Sequence, residues 1–436
     1  MNHDKKIRNA DHVRRLNRPS ENNDVIEARL KELLTPSILN KQWLAPRHGL
    51  RNRILTLPVM VSALLTLLWR QVPSVCELAR LIAREDVLWA PRLNVSQQAL
   101  GKRLLSFPYE LFRSILLDLL PRLKQRWQAR QRPKPRSIAH AQQHFKRLLS
   151  VDGSTLEALF RKLGSLQDVP AGSLAGKICT VIDLASRLPE TVWFCEQAQA
   201  HDTAFFGDIL RFAKPDDLWI FDRGFYGFKF WSQLIASKAA WVTRAKSNLV
   251  FEVKEVLIGT GQIRDRLVTV AGCPQTLRLI EVQWGKVWCR YVTSVVDPTT
   301  LPPEFVADLY RRRWRIEEAF LIVKRLPDLA YLWTGSQNGI LLQVWSTWLF
   351  YAVLIDLGDD VAEELNKPFD TISLEMVFRG LYHFSQAYKR GEATDPVKYF
   401  AAPENKDLGI VKRQSGKRQN KPQPIDLKDL TNLDFT

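Results

Sequence analysis

Hydrophobic positions recur at two different spacings along this chain, and the spacing changes near residue 147. Between residues 25 and 130 apolar residues recur every three or four positions, as in VIEARLKELL and YELFRSILLDLL. That spacing is typical of amphipathic helices. Ser74 and Ser96 each stand directly before such a run and are predicted to cap it. We therefore expect a helical region over residues 25–130.

From residue 148 to 246, short β-branched and aromatic runs alternate with helical ones. Five runs are predicted to be strands: RLLSVDG, KICTVID, TVWFCEQ, LWIFD and AAWVTRAK. Runs of this composition and length favour strands. Helices are predicted at TAFFGDILRFAK and GFKFWSQLIASK. The alternation indicates an α/β sheet of mixed strand direction.

The alternation stops over residues 247–300, where four strand-like runs follow one another with no helix between them. That pattern predicts a small antiparallel β insertion. Pro302 and Pro303 then open a helix that completes the core over residues 301–330. Further helical segments fill residues 331–390, a region that could also serve in dimerisation.

The charge is strongly unbalanced, because the 436 residues carry a formal net charge of +17. Such an excess favours nucleic acid as partner. Basic residues dominate a predicted flexible arm (1–24), a linker (131–147) that would lie along a phosphate backbone or serve as a solubilising hinge, and a flexible tail (391–436). The charge also favours DNA contact by residues 25–130, where the helices around Ser74 and Ser96 are compatible with a helix-turn-helix variant or a plain helical core.

No part of the sequence resembles a secretory signal or a membrane anchor. The basic N-terminus is followed by no apolar segment, which predicts a cytoplasmic, nucleoid-associated protein with no membrane partner. The longest apolar stretches, 54–69 and 345–358, are shorter than the roughly 18 residues of a spanning helix and are predicted to be buried helices.

Two carboxylates follow apolar strands of the α/β region: Asp152 in SVDGST and Asp222 in WIFDRG. Each alone is compatible with an ordinary turn. If the first and fourth strands are neighbours, however, the two carboxylates meet. With Glu317 as a third oxygen donor, the set suits Mg²⁺ or Mn²⁺. A site with two such ions performs phosphodiester chemistry.

Glu317 lies in LYRRRWRIEEAFLIVKRL, residues 309–326, which is predicted to form one continuous amphipathic helix. Its apolar stripe consists of Leu309, Ile316, Phe320, Val323 and Leu326. Beside the stripe, Tyr310, Arg313, Glu317 and Lys324 share one side of the helix. The plain alternative is a solvated face with an Arg313–Glu317 pair.

The spacing of these four residues, Y-x2-R-x3-E-x6-K, resembles the signature of the insertion-sequence-four family of DDE transposases. DGST around Asp152, FDRGFYG around Asp222 and the position of the β insertion also resemble that family. The resemblance covers residues 148 to 330. It implies an RNase-H-like core in which Asp152, Asp222 and Glu317 are catalytic and bind two Mg²⁺ or Mn²⁺ ions per active site.

The resemblance also implies a DNA transposase that cleaves transposon ends, joins the 3′-OH to target DNA and pairs two ends as a homodimer. Tyr310, Arg313 and Lys324 would contact phosphates. Three further cations are predicted to extend this clamp or to form surface salt bridges: Arg223, Arg244 and Lys246. A tryptophan of the insertion, Trp288 or Trp284, would stack on a flipped base or is a core residue.

Two other functions remain open from the sequence. A stand-alone nuclease would keep the metal site but lack strand transfer. A non-catalytic regulator derived from a transposase would keep DNA binding alone, although a binding protein has no use for three mutually repelling carboxylates.

Overall fold

The computed structural model describes residues 20–34, 39, 54–155, 176–325 and 336–412. Within the described ranges, helices with defined bounds before the first strand are α1 Asp24–Leu33, α2 Leu57–Trp69, α3 Val75–Arg84, α4 Gln97–Ser106, α5 Tyr109–Ala129 and α6 Arg136–His144. The predicted caps are confirmed, because the Ser74 and Ser96 hydroxyls accept hydrogen bonds from the backbone N–H groups of Glu77 and Ala99. Residues 85–96 separate α3 from α4, a longer connection than the short turn of a helix-turn-helix.

Five strands form the core of the sheet: β1 Arg147–Thr155, β2 Lys177–Asp183, β3 Pro189–Cys195, β4 Asp217–Phe221 and β5 Ala240–Arg244. Their spatial order is β3-β2-β1-β4-β5. β1 pairs in parallel with β4 and β4 with β5, whereas β2 runs antiparallel to both β1 and β3. This mixed sheet has the RNase-H-like order, so the predicted fold class is confirmed.

The insertion contributes four more strands to the same sheet: β6 Phe251–Gly259, β7 Ile263–Val270, β8 Cys273–Trp284 and β9 Val287–Thr293. All are antiparallel to their neighbours, as predicted. β9 pairs with β5 through Val242–Thr293 and Arg244–Tyr291. The insertion therefore extends the core sheet to nine strands.

Helices cover both faces of the sheet. On one face α7 Phe206–Phe212 and α8 Phe228–Ala236 pack on a core that includes Trp219, Phe221 and Trp241. On the other face α6 and α9 Pro303–Arg312 pack on Leu148, Leu218 and Ile220. Because side chains alternate along a strand, Asp152 and Asp222 share the face of Leu148 and Ile220.

The N-terminal and C-terminal helices share one hydrophobic core. It unites α1 to α5 with α10 Arg315–Arg325, α11 Gln337–Glu364 and α12 Leu374–Lys389, and it also covers Ile178 and Ile182 of β2. Among the described helices, α11 is long and apolar enough to cross a bilayer, but its apolar window is entirely buried within the protein. Both long apolar stretches are thus buried helices, as predicted.

The predicted single helix over residues 309–326 is wrong, because α9 ends at Arg312 and α10 begins at Arg315. The N–H groups of Arg313 and Trp314 bond to the carbonyls three residues earlier, at Tyr310 and Arg311. These shorter-range bonds tighten the turn and redirect the second helix.

Two further boundaries differ from the sequence expectations. The linker contains α6. At the start of the linker, Arg130 and Arg132 are buried and pair with Asp356 and Asp359 of α11 rather than facing solvent. The predicted flexible tail is folded up to residue 412, with α13 Pro396–Ala401 packed on the helical core. The rest of the tail and most of the arm lie outside the described residues.

Candidate active site

The register of the two central strands brings Asp152 and Asp222 together. Val151 of β1 pairs with Phe221 of β4, and each aspartate is the next residue along its strand direction. β4 ends at that point, whereas β1 continues to Thr155 against β2. Asp152 therefore lies inside a strand rather than at its end. It still lies at the end of the central strands, where β4 stops.

Arg313 connects all three predicted carboxylates. Its Nη1 lies 3.6 Å from Oδ2 of Asp152, and its Nη2 lies 4.0 Å from Oδ1 of Asp222 and 3.1 Å from Oε1 of Glu317. The Arg313 side chain is only 6% exposed, whereas those of Asp222 and Glu317 are 40% and 37% exposed. The three acidic residues, distant in sequence, thus surround one buried guanidinium that faces an accessible edge.

Burial makes this arrangement electrostatically demanding. It raises the pKa of Asp152 to about 6, partly offset by Arg313 and by the N–H of Gly153 and reinforced by Asp222 and Glu317. The pKa of Arg313 is raised, because the neighbouring acids outweigh the opposite effect of its burial. Nε and Nη1 of Arg313 also lack hydrogen-bond partners among the described residues.

Three carboxylates around one positive centre are the donor set expected for a hard divalent cation. In this arrangement the guanidinium stands where that positive charge would lie. Among the described residues no group of three acidic, histidine or cysteine side chains is close enough to form a ready metal cage. The three carboxylates are therefore suitable ligands for a divalent cation. The guanidinium of Arg313 would have to move away for such a cation to bind.

The raised pKa of Asp152 gives a testable stability effect in metal-free protein. The folded state retains a proton that the unfolded state releases between about pH 4 and 6, so stability falls as pH rises through that window. Asp152→Asn, which stays neutral, is expected to raise the free energy of unfolding by about 2 to 3 kcal/mol near pH 7.5. Urea unfolding in EDTA measures it. The advantage should vanish near pH 4; an equal advantage at both values would contradict the assignment.

Tyr310 lies at the same edge. Its hydroxyl donates to Oδ1 of Asp222 at 3.5 Å, and its ring packs against Tyr291 of β9 at a centroid distance of 5.3 Å. Burial raises the pKa of Tyr310, with Arg313 and Arg244 acting in the opposite direction. The insertion thus contacts the candidate site through a tyrosine pair.

The other predicted DNA contacts are more dispersed. Arg223 and Lys246 are exposed and Arg244 is half-buried, and none of the three pairs with an acidic side chain in the described part of the chain. Lys246 lies 4.3 Å from the ring centre of Tyr226. Trp288 is half-buried under the guanidinium of Arg264. By strand alternation it faces away from Tyr291, so the base-stacking role stays a prediction.

Lys324 belongs to α10, but its side chain lies outside the described residues. The structure consequently brings together Tyr310, Arg313, Asp152, Asp222 and Glu317. It does not test the role of Lys324.

Sequence reasoning missed Asp202, which braces the two aspartate motifs. It begins the short 3-10 helix Asp202–Phe205, and its Oδ1 pairs with Nζ of Lys177 at 2.7 Å. Its carboxylate fills the space beside Gly153 and Gly224, which belong to the two aspartate motifs. The available signal was an acidic residue between the third and fourth strands. Its isolated position in AHDTAFF gave no reason to select it.

Gly224→Ala tests this brace. A Cβ at Gly224 would collide with Oδ2 of Asp202, which Lys177 holds in place. We expect the free energy of unfolding to fall by about 1 to 3 kcal/mol, and cleavage to fall with it. Chemical denaturation provides the measurement. Gly207→Ala is the matched control, because a Cβ there meets nothing within 4 Å; equal losses in both variants would argue against the brace.

A mixed RNase-H-like sheet with three carboxylates at one edge defines the class of polynucleotidyl-transfer domains. Residues 143–330 match the protein family described as "Transposase DDE domain". This segment is a DDE transposase domain. Its narrower assignment to the insertion-sequence-four family stays a prediction.

Several individual proteins are similar to this chain. "Putative transposase y4zB" of Sinorhizobium fredii is 27% identical over 161 residues, which cover 34% of this chain and 43% of that protein. "Putative transposase for insertion sequence element IS4SA" of Synechocystis is 23% identical over 184 residues, covering 41% and 52%. The chain thus spans about half the length of the curated relatives it matches.

A solved structure, described as the piggyBac transposase synaptic complex with hairpin DNA, also matches. It is 12% identical with a TM-score of 0.42, covering 93% of this chain and 91% of that one.

Proposed function

We propose that the protein is a DNA transposase. It binds the terminal inverted repeats of an insertion sequence, cleaves the DNA at the ends and joins the 3′-OH to target DNA. Asp152, Asp222 and Glu317 hold two Mg²⁺ or Mn²⁺ ions per active site. The DDE transposase class in general uses divalent metal ions, and the transposase domain over residues 143–330 supports the same requirement here.

One observation supports this proposal above the others, namely the contact of Arg313 with all three carboxylates. A binding protein gains nothing from three converging acids, because their mutual repulsion and the burial of Asp152 oppose folding. An enzyme that must collect divalent cations needs that arrangement. The half-exposed carboxylates of Asp222 and Glu317 leave it open to a polynucleotide.

The side chains divide the work as follows. The three carboxylates would hold the ions, which would supply activation of an attacking oxygen and stabilisation of a leaving one. Arg313, displaced from its acidic partners, turns Nε and Nη1, which donate no hydrogen bond to the described residues, to the phosphate being cut. The Tyr310 hydroxyl, beside Asp222, orients the same phosphate.

The charge distribution favours double-stranded DNA as partner, both transposon ends and target. Arg223, Arg244 and Lys246 lie near the catalytic edge without acidic partners among the described residues, so they can follow a phosphate backbone. The helices of residues 25–130 supply further contacts to the DNA. A homodimer would pair two ends in the cell interior, at the nucleoid.

The test uses purified protein and a duplex that carries the inverted repeats flanking the gene. With Mg²⁺ we expect nicks at the repeat boundary and joining of the new 3′-OH ends to a target plasmid, and with EDTA neither. Cleavage of any duplex without joining would replace the transposase by a nuclease. Tight binding to the repeats with no cleavage at any divalent ion would leave only a binding protein.

A further inference from the structure

A second cluster of cations lies behind the helix break, on the opposite side from the three carboxylates. It surrounds a cavity of about 30 Å³ between the segment before α6, the turn after β2, the α9–α10 break and the 3-10 helix Phe369–Thr371. Among the described residues, Asp370 is the single acidic side chain that lines it. Five basic side chains also line it: Arg132, Lys134, Arg187, Arg312 and Arg315. We call it the arginine pocket.

Two of these guanidinium groups are buried with N–H groups left unused. Arg132 and Arg187 have side chains only 2% and 3% exposed. Arg132 donates from Nε to Asp359, and Arg187 donates from Nη2 to Glu318 at 3.0 Å. Both Nη atoms of Arg132, and Nε and Nη1 of Arg187, have no partner in the described part of the protein. A buried charged donor without an acceptor is costly, so these groups require one.

The surrounding contacts hold both groups in fixed positions. The guanidinium of Arg132 lies 4.8 Å from the ring centre of Trp127, and that of Arg187 lies 5.0 Å from the ring centre of Phe369. With an aromatic ring beside it, each group keeps its unpartnered N–H groups for a ligand. Arginine N–H groups bind oxyanions, often through two parallel hydrogen bonds.

The local acids do not neutralise the pocket. Each acid is shared by several cations: Asp370 accepts from Arg312 and Arg315, Asp308 accepts from Arg311 and Arg312, and Glu318 pairs with Arg187, Arg315 and Lys412. Consistent with crowded positive charge, burial together with Arg187 and Arg315 lowers the pKa of Lys412 to about 8. An added anion would relieve this repulsion.

The dimensions restrict the ligand. The inner space holds about one or two water-sized groups, whereas Pro133 and Lys134 at its margin are exposed. One or two oxygens can therefore enter while the remainder of the ligand stays in the mouth. We propose that the arginine pocket is a binding site for a phosphate group, presented either as free phosphate or by a nucleic-acid backbone.

The site connects with the catalytic edge through the chain itself. Arg312 and Arg315 flank Arg313, whose side chain turns to the opposite side and reaches the carboxylates. A bound phosphate would fix the end of α9 and the start of α10, which carries Glu317. The inference does not depend on the metal site, because nothing in it involves cleavage.

The test measures thermal unfolding in about 10 mM inorganic phosphate against chloride at equal ionic strength. We expect the Tm of the wild type to rise by about 2 to 4 °C in phosphate. Arg187→Gln should lose this rise. Lys134→Glu, at the exposed mouth, should lose most of it, because it replaces a cation of the pocket by an anion. Arg211→Glu, an exposed control on α7 whose side chain is 77% exposed, should retain it.

Binding of labelled duplex DNA separates the two sources. If the phosphate belongs to DNA, Lys134→Glu weakens DNA binding at least about fivefold more than Arg211→Glu, and free phosphate competes. If it is free phosphate, the two variants bind DNA equally and only the Tm rise is lost. The inference is overturned if phosphate and chloride give the same Tm in the wild type, or if Arg187→Gln and Lys134→Glu keep the full rise. Asp152→Asn should keep the rise even where the proposed catalysis fails.

Discussion

Glu317→Gln is expected to lower the rate of DNA-end cleavage at least about a thousandfold, while duplex binding stays within about threefold of wild type. Glutamine keeps the size of the side chain and removes its negative charge, so a divalent cation loses one of its three anionic ligands. Asp152→Asn and Asp222→Asn are expected to behave alike. The measurement is a single-turnover cleavage assay in Mg²⁺, with gel-shift binding in EDTA as the second readout.

The matched control is Glu304→Gln, in the first turn of α9 and far from Arg313 along the helix. It should leave the cleavage rate unchanged. Because three neighbouring acids act as one unit, combining two of the site substitutions should cost little more than either alone. Additive losses, or normal cleavage by any one of the three variants, would remove that residue from the site.

Arg278→Met is expected to lower the free energy of unfolding by about 3 to 5 kcal/mol. Arg278 of β8 and Asp265 of β7 are both fully buried, and the guanidinium donates from Nε at 2.8 Å and from Nη2 at 2.5 Å to the two carboxylate oxygens. Its Nη1 also donates to the carbonyl of Leu301 at 2.7 Å, just before α9. Methionine would leave Asp265 charged, buried and unpaired. Urea unfolding measures the loss.

Two comparisons separate a lost pair from a lost side chain. Arg278→Met combined with Asp265→Leu removes both charges, so most of the stability should return. Arg211→Met breaks a surface pair with Asp208 and should change stability by less than about 1 kcal/mol. If the double variant were as unstable as the single one, the packing of Arg278 rather than its charge would be responsible.

The strands and the positions of Asp152 and Asp222 beside the sheet were predictable because both depend on local signals. Runs such as KICTVID and LWIFD contain β-branched and aromatic residues that only a buried strand accommodates. An aspartate directly after such a run must appear beside the sheet. Whether Asp152 and Asp222 were neighbours depended on the pairing of β1 with β4, which local patterns do not encode but the α/β alternation favours.

The break between α9 and α10 was not predictable, because the apolar stripe runs through it without interruption. Leu309 and Ile316 are both fully buried although the helix changes course between them. Three arginines precede Trp314, and nothing in their order reveals that Arg313 turns inward while Arg312 and Arg315 turn away from it. Side chains 100° apart on a helix are assigned to different partners only when those partners are known.

The fate of the basic linker was hidden for a related reason. Counting Arg130 and Arg132 as positive charges is correct, but their partners lie more than two hundred residues later, at Asp356 and Asp359. Those aspartates lie in a strongly apolar run, and nothing in the sequence indicates that they are partners of distant arginines. Long-range ion pairs therefore place Arg130 and Arg132 in the interior, whereas Lys134 and Arg136 of the same basic region stay exposed. Asp202 escaped notice because its ion pair with Lys177 joins residues that no shared motif connects.

The shared helical core has a consequence for how this chain can be divided. Helices α1 and α11 belong to the same apolar core, which also includes residues of α10 and of one face of β2. A fragment limited to residues 143–330 would expose Ile178, Ile182, Ile316 and Phe320 together. Such an exposed hydrophobic surface promotes aggregation. The smallest unit that can fold independently thus extends beyond residues 143–330 on both sides. During synthesis the nascent chain must reach its last long helices before the DDE domain is fully covered.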